Sequence, residues 1–138
     1  MSENASDETG TPPAFEPALR AIAMPADANP TGDIFGGWLL AQMDLAGGTT
    51  AVRRAGGRVA TVAITAMTFH RPVLIGDEVS CYAQIVKLGR TSLTLRIESW
   101  VRRGVSAEHI KVTEGLFTYV AISPDRRPRP IPPESARQ

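Results

Sequence analysis

Asp44 is the one charged residue between Ile34 and Val52, a segment that is otherwise apolar or small. A carboxylate in apolar surroundings is costly to desolvate, so it is either hydrogen-bonded within the structure or kept for a chemical task. The residues three and four positions away on a helix offer neither a donor nor a positive charge; they are Leu40, Ala41, Gly47 and Gly48. Asp44 is therefore a candidate general base, and a structural aspartate bonded to a strand or a partner chain is the alternative.

The same segment begins with Gly36 and Gly37. The first amides of a helix have no partner within it, and the helix dipole favours negative charge there, as in an oxyanion hole or a phosphate site. The alternative is that Asp33 only caps the helix and the glycines serve the turn.

Seven residues separate Gly37 from Asp44, which is about 10 Å along a helix axis. The amides and the carboxylate of one helix therefore cannot both reach one reacting carbon. Two helices lying antiparallel in a dimer could bring them together, so the spacing predicts an obligate dimer with two equivalent sites.

One helix and about five strands must position these groups. Three- and four-residue spacing of apolar residues predicts a helix from Gly36, and alternation with β-branched residues predicts the strands. The expected strands are Ala18–Met24 at an edge, Val59–Phe69, Glu78–Leu88, Ser92–Arg103 and His109–Ile122. Short connections favour antiparallel neighbours. Because the helix is apolar around most of its circumference, we expect an α+β fold with a curved antiparallel sheet wrapped around it, with Gly47 and Gly48 at points of close approach.

Composition narrows the class of protein. With 138 residues and a net charge of +1, the chain suits one globular domain without an overall attraction to nucleic acid or membranes. A single cysteine, Cys81, excludes an internal disulfide and favours a cytoplasmic location, and its place in a strand predicts burial. No metal-spaced His/Cys cluster or secretion signal is present. The expected organisation is a flexible extension (1–13), one domain (14–123) and a Pro- and Arg-rich tail (124–138).

Several motifs occur in an order that resembles one family. They are Asn29-Pro-Thr-Gly-Asp-Ile-Phe-Gly-Gly-Trp38, Gln42-Met-Asp44, Phe69-His-Arg-Pro72, Gly76-Asp77 and Lys87-Leu-Gly-Arg-Thr-Ser92. From about Ala21 to Pro133 the sequence resembles the YciA-type acyl-CoA thioesterases of the hot-dog superfamily. The resemblance implies a hot-dog fold, hydrolysis of acyl-CoA to CoA and a free acid without a further cofactor, and homodimers that often assemble into hexamers as trimers of dimers.

The resemblance also implies roles for single residues. Asp44 takes the position of the catalytic acid, which acts on water as a general base or attacks the thioester directly as a nucleophile. Asn29 takes the position of the loop asparagine that helps to hold the reacting groups. Gly36 or Gly37 takes the position of the backbone amide that polarises the carbonyl. Pro30 departs from the family pattern and affects the loop's contact to substrate more than the reaction type.

Coenzyme A and the acyl chain need separate contacts. Two cations and two hydroxyls lie at a predicted hairpin, where the resemblance favours phosphate and pantetheine contact; they are Lys87, Arg90, Thr91 and Ser92. A solvated turn with incidental charges is the alternative for these four residues. Arg127, with Arg126 and Arg129, could add a phosphate contact if the tail folds back, although a loose basic tail explains these three charges equally well. Phe35, Met67 and Phe69 are candidates for the acyl pocket and are equally plausible as core.

Two other functions remain open. A hydratase or dehydratase of this fold usually adds a catalytic histidine, and neither the 29–37 segment nor the helix contains one. An acyl-CoA sensor would keep the binding site without turnover. Release of free thiol from acyl-CoA separates hydrolysis from both.

Overall fold

The computed structural model describes residues 10–134, and it contains one long helix and five strands. The helix α1 spans Gly36–Ala55, and a short 3-10 helix spans Pro25–Asp27. The strands are β1 (Leu19–Ile22), β2 (Val59–Phe69), β3 (Glu78–Leu88), β4 (Ser92–Arg102) and β5 (Ile110–Ala121). The expected bounds of β2 and β3 are confirmed, and the other strands are shorter than expected by one to three residues.

All five strands form one antiparallel sheet in the order β1-β3-β4-β5-β2. The short connections pair β3 with β4 and β4 with β5, whereas β2 returns to the far edge and pairs with β5. The helix α1 packs against all five strands. The expected sheet around one central helix is therefore confirmed.

Alternation along the strands separates the two faces of the sheet. In β4, Leu93, Leu95 and Ile97 are fully buried in the core, while the intervening Arg96 is exposed. Cys81 is fully buried, as expected, and burial raises the pKa of its thiol to about 11, against the smaller lowering effect of its hydrogen bond with Ser99. Cys81 therefore stays a neutral thiol at neutral pH.

The helix approaches the sheet most closely at Gly47. A Cβ at this position would collide with the hydroxyl of Tyr119 and would lie 2.5 Å from Cδ1 of Ile97. At Gly48 the nearest atom, on the Tyr119 ring, would be 3.9 Å away, which is ordinary contact. The predicted close approach is therefore confirmed at Gly47 and does not occur at Gly48.

The described part of the tail (124–134) is bound to the domain. After a turn at 123–127, Nη1 of Arg129 donates to the carbonyl of Ala55 at the end of α1, at 3.0 Å. The amide of Ile131 donates to the carbonyl of Arg90 in the β3–β4 turn, at 2.9 Å. The tail thus folds back and joins the end of the helix to this turn. Of the segments expected to be flexible, residues 1–9 and 135–138 lie outside the described residues.

Several large apolar side chains on the edge strand β2 and on α1 are exposed in the described part of the chain. No residue of the edge strand β2 is buried, and Val62 is 56% exposed. Leu45 on α1 is 60% exposed, and Val52 is also exposed. Within residues 10–134, no helix is long and apolar enough to cross a membrane.

Candidate active site

Asp44 lies on the side of α1 that faces β2 and β5. Its Oδ1 accepts a hydrogen bond from Oγ1 of Thr61 at 2.9 Å and another from the hydroxyl of Tyr119, also at 2.9 Å. Oδ2 has no hydrogen-bond partner among residues 10–134. Donors on β2 and β5 therefore replace the donors that the helix lacks, and the half-buried carboxylate forms no ion pair with another described residue.

Tyr119 is a part of this site that the sequence reasoning missed. It is 1% exposed, and its hydroxyl also donates to the backbone carbonyl of Asp44 at 3.1 Å. Burial raises the pKa of the Tyr119 phenol far above its ordinary value, and the hydrogen bond and the charge of Asp44 raise it further. The phenol therefore remains protonated and acts only as a donor to Asp44.

A signal for this contact was present in the sequence. Tyr119 is one of the alternate residues of β5 that face inward. A buried tyrosine hydroxyl normally requires a hydrogen-bond partner. Thr61 is its direct partner across β2 and β5. The identity of the acceptor could not be read from the sequence, because Asp44 is 75 residues away from Tyr119.

A cleft of about 340 Å³ opens at the start of α1. Asn29, Phe35, Gly36 and Phe69 all line it, together with the loop that follows β2. The structure thus places four of the predicted site residues around one cavity. Asp44 does not line this cleft, since it lies two helical turns further along α1.

The Asn29 side chain is held in one orientation by its own loop. Its Oδ1 accepts hydrogen bonds from the amides of Thr31 and Asp33, at 3.0 Å each, and from the Thr31 hydroxyl at 2.8 Å. Because the oxygen is fully used, the Nδ2 group is the part left for a ligand, and it has no partner among residues 10–134.

The helix start lacks a side-chain cap. Phe35 occupies the N-cap position and makes no side-chain hydrogen bond, so the alternative role of Asp33 as the cap is wrong. The first amides that bond within this turn are those of Trp38 and Leu39, both to the carbonyl of Phe35. The amides of Gly36 and Gly37 have no partner in the described chain and are available to an oxyanion.

Gly36 and Phe69 lie against each other. A Cβ at Gly36 would be 3.6 Å from Cε2 of Phe69, so the ring covers the glycine at ordinary contact distance. Met67, the third acyl-pocket candidate, does not line the cleft and instead packs toward Gly115, where a Cβ would collide with its sulfur. Ala66, beside it in a β-bulge of β2, has φ of 54°.

The coenzyme candidates lie in and beside the β3–β4 turn, at the end of β3 that is not paired with β1. Lys87 is the penultimate residue of β3, Ser92 begins β4, and the amide of Gly89 donates to the carbonyl of Ser92 at 2.8 Å to close the turn. The side chains of Lys87 and Arg90 are exposed and form no hydrogen bond or ion pair with other described residues. Two exposed cations are thus available to an anionic ligand.

Arg127 differs from these two cations. Its Nε lies 3.2 Å from Oδ2 of Asp125 on the exposed turn of the tail. Asp125 therefore offsets its charge, so the structure provides less reason to assign Arg127 to phosphate than Lys87 or Arg90.

A charged group beside the cleft was not anticipated. His70, which lines the cleft, bonds through Nε2 to Oε2 of Glu114 at 2.9 Å, and Nζ of Lys111 lies 3.1 Å from Oε1 of Glu114. Burial alone would raise the Glu114 pKa, but the hydrogen bonds to His70 and Lys111 outweigh it and hold this pKa below its ordinary value. The described residues contain no group of three or more His, Cys, Asp or Glu side chains placed to hold a metal ion.

One helix enclosed by an antiparallel sheet in this strand order is the hot-dog fold. The solved structures that resemble the chain include the hexameric thioesterase y2039 from Yersinia pestis, with a TM-score of 0.83 and 50% identity over 88% of this chain and 98% of that chain. They also include HI0827, a hexameric broad-specificity acyl-coenzyme A thioesterase, as an aspartate-to-alanine mutant, with a TM-score of 0.82 and 45% identity over 86% of this chain and 87% of that chain.

Sequence comparison agrees with the structural comparison. The family model of the thioesterase superfamily matches residues 31–108. The acyl-CoA thioester hydrolase YciA of Salmonella typhimurium is 53% identical over 123 residues, which cover 87% of this chain and 92% of that protein. The chain therefore belongs to the thioesterase superfamily, and the family resemblance of its motifs is confirmed.

Proposed function

We propose that the protein hydrolyses acyl-CoA thioesters to CoA and free carboxylic acids, at two equivalent sites of a homodimer. The main support for the proposal is that α1 holds two complementary parts of a site, here called half-sites, which lie too far apart to act together within one chain. A carboxylate with one unpartnered oxygen lies at Asp44, and unpartnered amides with the Asn29 carboxamide lie about 10 Å away at the helix start. The names of the relatives supply the substrate class.

A second copy of the chain would complete each site. The edge strand β2, 11 residues long, has unpaired backbone groups, and an exposed edge of this length normally meets a partner. Val62 on this strand and Leu45 on α1 are large apolar side chains that are exposed in the described chain. A two-fold axis beside β2 would set the two helices antiparallel, so that Asp44 of one protomer faces the helix start of the other. We extend the hexameric state of the relatives to this chain as a trimer of such dimers.

The reaction needs a base and a site for negative charge. As general base, Asp44 removes a proton from water while the water oxygen bonds to the thioester carbon. The carbonyl oxygen becomes an oxyanion and accepts hydrogen bonds from the Gly36 or Gly37 amide, with Asn29 orienting the reacting groups. The C–S bond then breaks, the thiolate of CoA takes up a proton, and the acid is released.

Attack by Asp44 itself is the other route. A carboxylate oxygen bonds to the thioester carbon, the thiolate leaves, and water hydrolyses the resulting anhydride to return Asp44 and release the acid. Both routes balance with water as the only co-reactant and without a redox step, and we propose that neither uses a metal. Both also require the same unpartnered oxygen of Asp44.

The two ends of the substrate have different candidate contacts. Lys87 and Arg90, with the hydroxyls of Thr91 and Ser92, are proposed to hold the phosphates and the pantetheine arm of CoA. Phe35 and Phe69 are proposed to contact the acyl chain at the cleft. The cytoplasmic location expected from the single cysteine is part of the proposal, because acyl-CoA is an intracellular metabolite class.

Thiol release from a panel of acyl-CoAs tests the proposed function. Asp44→Asn keeps the size of the side chain and removes its charge, so turnover should fall by at least about 1000-fold while the oligomer remains intact. Glu108→Gln, an equally conservative change at an exposed acid far from α1 in sequence, is the matched control and should behave as wild type. Equal rates for wild type and Asp44→Asn would overturn the mechanism.

The competing functions predict other results for the wild-type protein. An acyl-CoA sensor would bind acyl-CoA tightly without releasing thiol. A hydratase would change the absorbance of an enoyl-CoA while leaving the thioester intact. Wild-type thiol release with loss in Asp44→Asn excludes both as the main activity.

A further inference from the structure

We infer that Thr61 and Tyr119 act as a pair of positioning residues that occupy Oδ1 of Asp44 and leave Oδ2 as its reacting oxygen. The inference rests on the proposed function and deepens it, since it assigns the reaction to one of two chemically equivalent atoms. Neither residue is proposed to contact the substrate. Both act through the carboxylate.

The sheet register explains why both hydroxyls reach the same oxygen. Thr61 and Tyr119 are directly opposite each other on β2 and β5, so their side chains rise on the same face of the sheet. The two donors lie at 2.9 Å from Oδ1, and Tyr119 also contacts the backbone carbonyl of the same residue at 3.1 Å. The one proton of the Tyr119 hydroxyl is shared between Oδ1 and this carbonyl, so two donors hold both the carboxylate and its backbone.

Close packing prevents Tyr119 from moving away. Its hydroxyl occupies the space that a side chain at position 47 would fill, and the residue is almost completely buried. The hydroxyl therefore stays against Gly47 and Asp44. By contrast Thr61 is exposed on the edge strand β2, where its hydroxyl lies within hydrogen-bond reach of the Tyr119 hydroxyl as well as of Asp44.

Because both donors bind Oδ1, the two carboxylate oxygens differ in basicity and nucleophilicity. An oxygen that accepts two hydrogen bonds has lone pairs engaged and is a weaker base and nucleophile than one that accepts none. Oδ2 has no partner among residues 10–134. It is therefore the atom that can take a proton from water or attack a carbonyl.

Few ionisable groups face Asp44. From β5 it meets Tyr119, and β2 contains no charged residue. The inward side of β3 contributes Cys81, which is buried against Ser99, and the inward side of β4 contains Ser99 and apolar residues but no charged residue. A change in the acid limb of a pH profile caused by Tyr119→Phe can therefore be assigned to the lost hydrogen bond.

Two conservative substitutions test the pair. Tyr119→Phe and Thr61→Val each remove one donor with little change in shape. Each should lower kcat about 10- to 100-fold, the loss expected for one hydrogen bond to a charged group, with KM nearly unchanged. The acid limb of the kcat/KM profile should move to higher pH in both, because the carboxylate is easier to protonate without the donor.

Thr61→Ser is the matched control, because it removes the methyl group and keeps the hydroxyl. Its rate and its acid limb should stay close to those of wild type. If Thr61→Ser and Thr61→Val are slowed equally, the hydroxyl is irrelevant and the inference is overturned. Wild-type kcat with an unmoved acid limb in Tyr119→Phe would overturn it as well.

A spectroscopic measurement separates this inference from the proposed function. The infrared carboxylate stretches of Asp44, identified by ¹³C-aspartate labelling and subtraction of Asp44→Asn, report unequal hydrogen bonding of the two oxygens. Their separation should change in Tyr119→Phe even if no acyl-CoA is hydrolysed. An inactive wild type would reject the proposed function, whereas an unchanged separation would reject the positioning pair.

Discussion

At the scale of single residues, the site depends on the absence of a side chain at Gly47. The Tyr119 hydroxyl lies where a Cβ of residue 47 would be, and from there it reaches both Oδ1 and the backbone carbonyl of Asp44. A glycine within a helix costs about 1 kcal/mol relative to alanine. At position 47 the glycine is nevertheless required, because any larger residue would prevent the contact between the helix and the Tyr119 phenol.

Gly47→Ala should therefore destabilise the protein although it improves helix propensity. Overpacking against Tyr119 and Ile97 should lower the free energy of unfolding by about 1 to 3 kcal/mol, and activity should fall with the displaced phenol. Gly48→Ala is the matched control and should be neutral or stabilising by up to about 1 kcal/mol, since its Cβ would have only an ordinary contact at 3.9 Å. Urea unfolding at one protein concentration compares them. Equal stability of the two variants would contradict the packing argument.

Glu114 gives a residue-level prediction about pH. Its folded-state pKa lies below the ordinary value because His70 and Lys111 bind the anion against the effect of burial. Its contribution to stability is therefore present above the ordinary glutamate pKa and is lost as the pH falls through the lower, folded-state value.

Glu114→Gln should consequently reduce the loss of stability on acidification below about pH 4.5, the ordinary pKa of this group. Thermal unfolding of wild type and variant between pH 3 and 7 measures this, with Glu108→Gln as an exposed control. A variant whose stability falls as steeply as that of wild type would show that Glu114 does not contribute.

At the scale of secondary-structure elements, alternation was sufficient to predict β2 and β3 to the residue and the other strands closely. It was sufficient because one face of the sheet packs on an apolar helix, which forces a period of two in each strand. The contacts of Asp44 were not predictable, since Thr61 and Tyr119 meet it only through the register of β2 on β5. The tail was also not predictable, because Arg129 binds a carbonyl, which any residue could supply.

The docked tail has an element-level role of its own. Arg129 bonds the carbonyls of Ala55 and Ile122, and Nη1 of Arg54 on α1 donates to the carbonyl of Pro132 at 2.7 Å. Through the amide of Ile131, the same segment holds the β3–β4 turn that contains the proposed coenzyme cations. The tail therefore stabilises the position of the β3–β4 turn.

Arg129→Lys should weaken coenzyme binding without slowing the chemical step. Lysine keeps the charge but lacks the planar fork that reaches two carbonyls, so the turn should become less ordered. We expect KM for acyl-CoA to rise about 3- to 10-fold with kcat nearly unchanged, and KM for an acyl thioester of N-acetylcysteamine to stay constant. Arg58→Lys, an exposed change near the same helix end, is the control. A fall in kcat alone would contradict the proposed support.

At the scale of the whole molecule, the separated half-sites and the exposed edge strand β2 both favour association with a second copy of the chain. The helix that presents Asp44 also presents the amides of Gly36 and Gly37, but it separates them by about two turns. Val62 on the edge strand β2 and Leu45 on α1 are exposed apolar side chains. A single copy has the parts of the proposed site without their juxtaposition, so activity should depend on association.

Complementation between two inactive variants tests this dependence. Asn29→Asp keeps the oxygen that accepts from Thr31 and Asp33 but removes the free amide donor, and Asp44→Asn removes the base. A heterodimer of the two has one site with wild-type Asn29 from one chain and wild-type Asp44 from the other. Random pairing makes about half of the dimers mixed, each with one intact site of two, so co-expression in equal amounts should restore about one quarter of wild-type thiol release. If each site instead used Asn29 and Asp44 of the same chain, mixing would restore nothing, because no chain contains both wild-type residues.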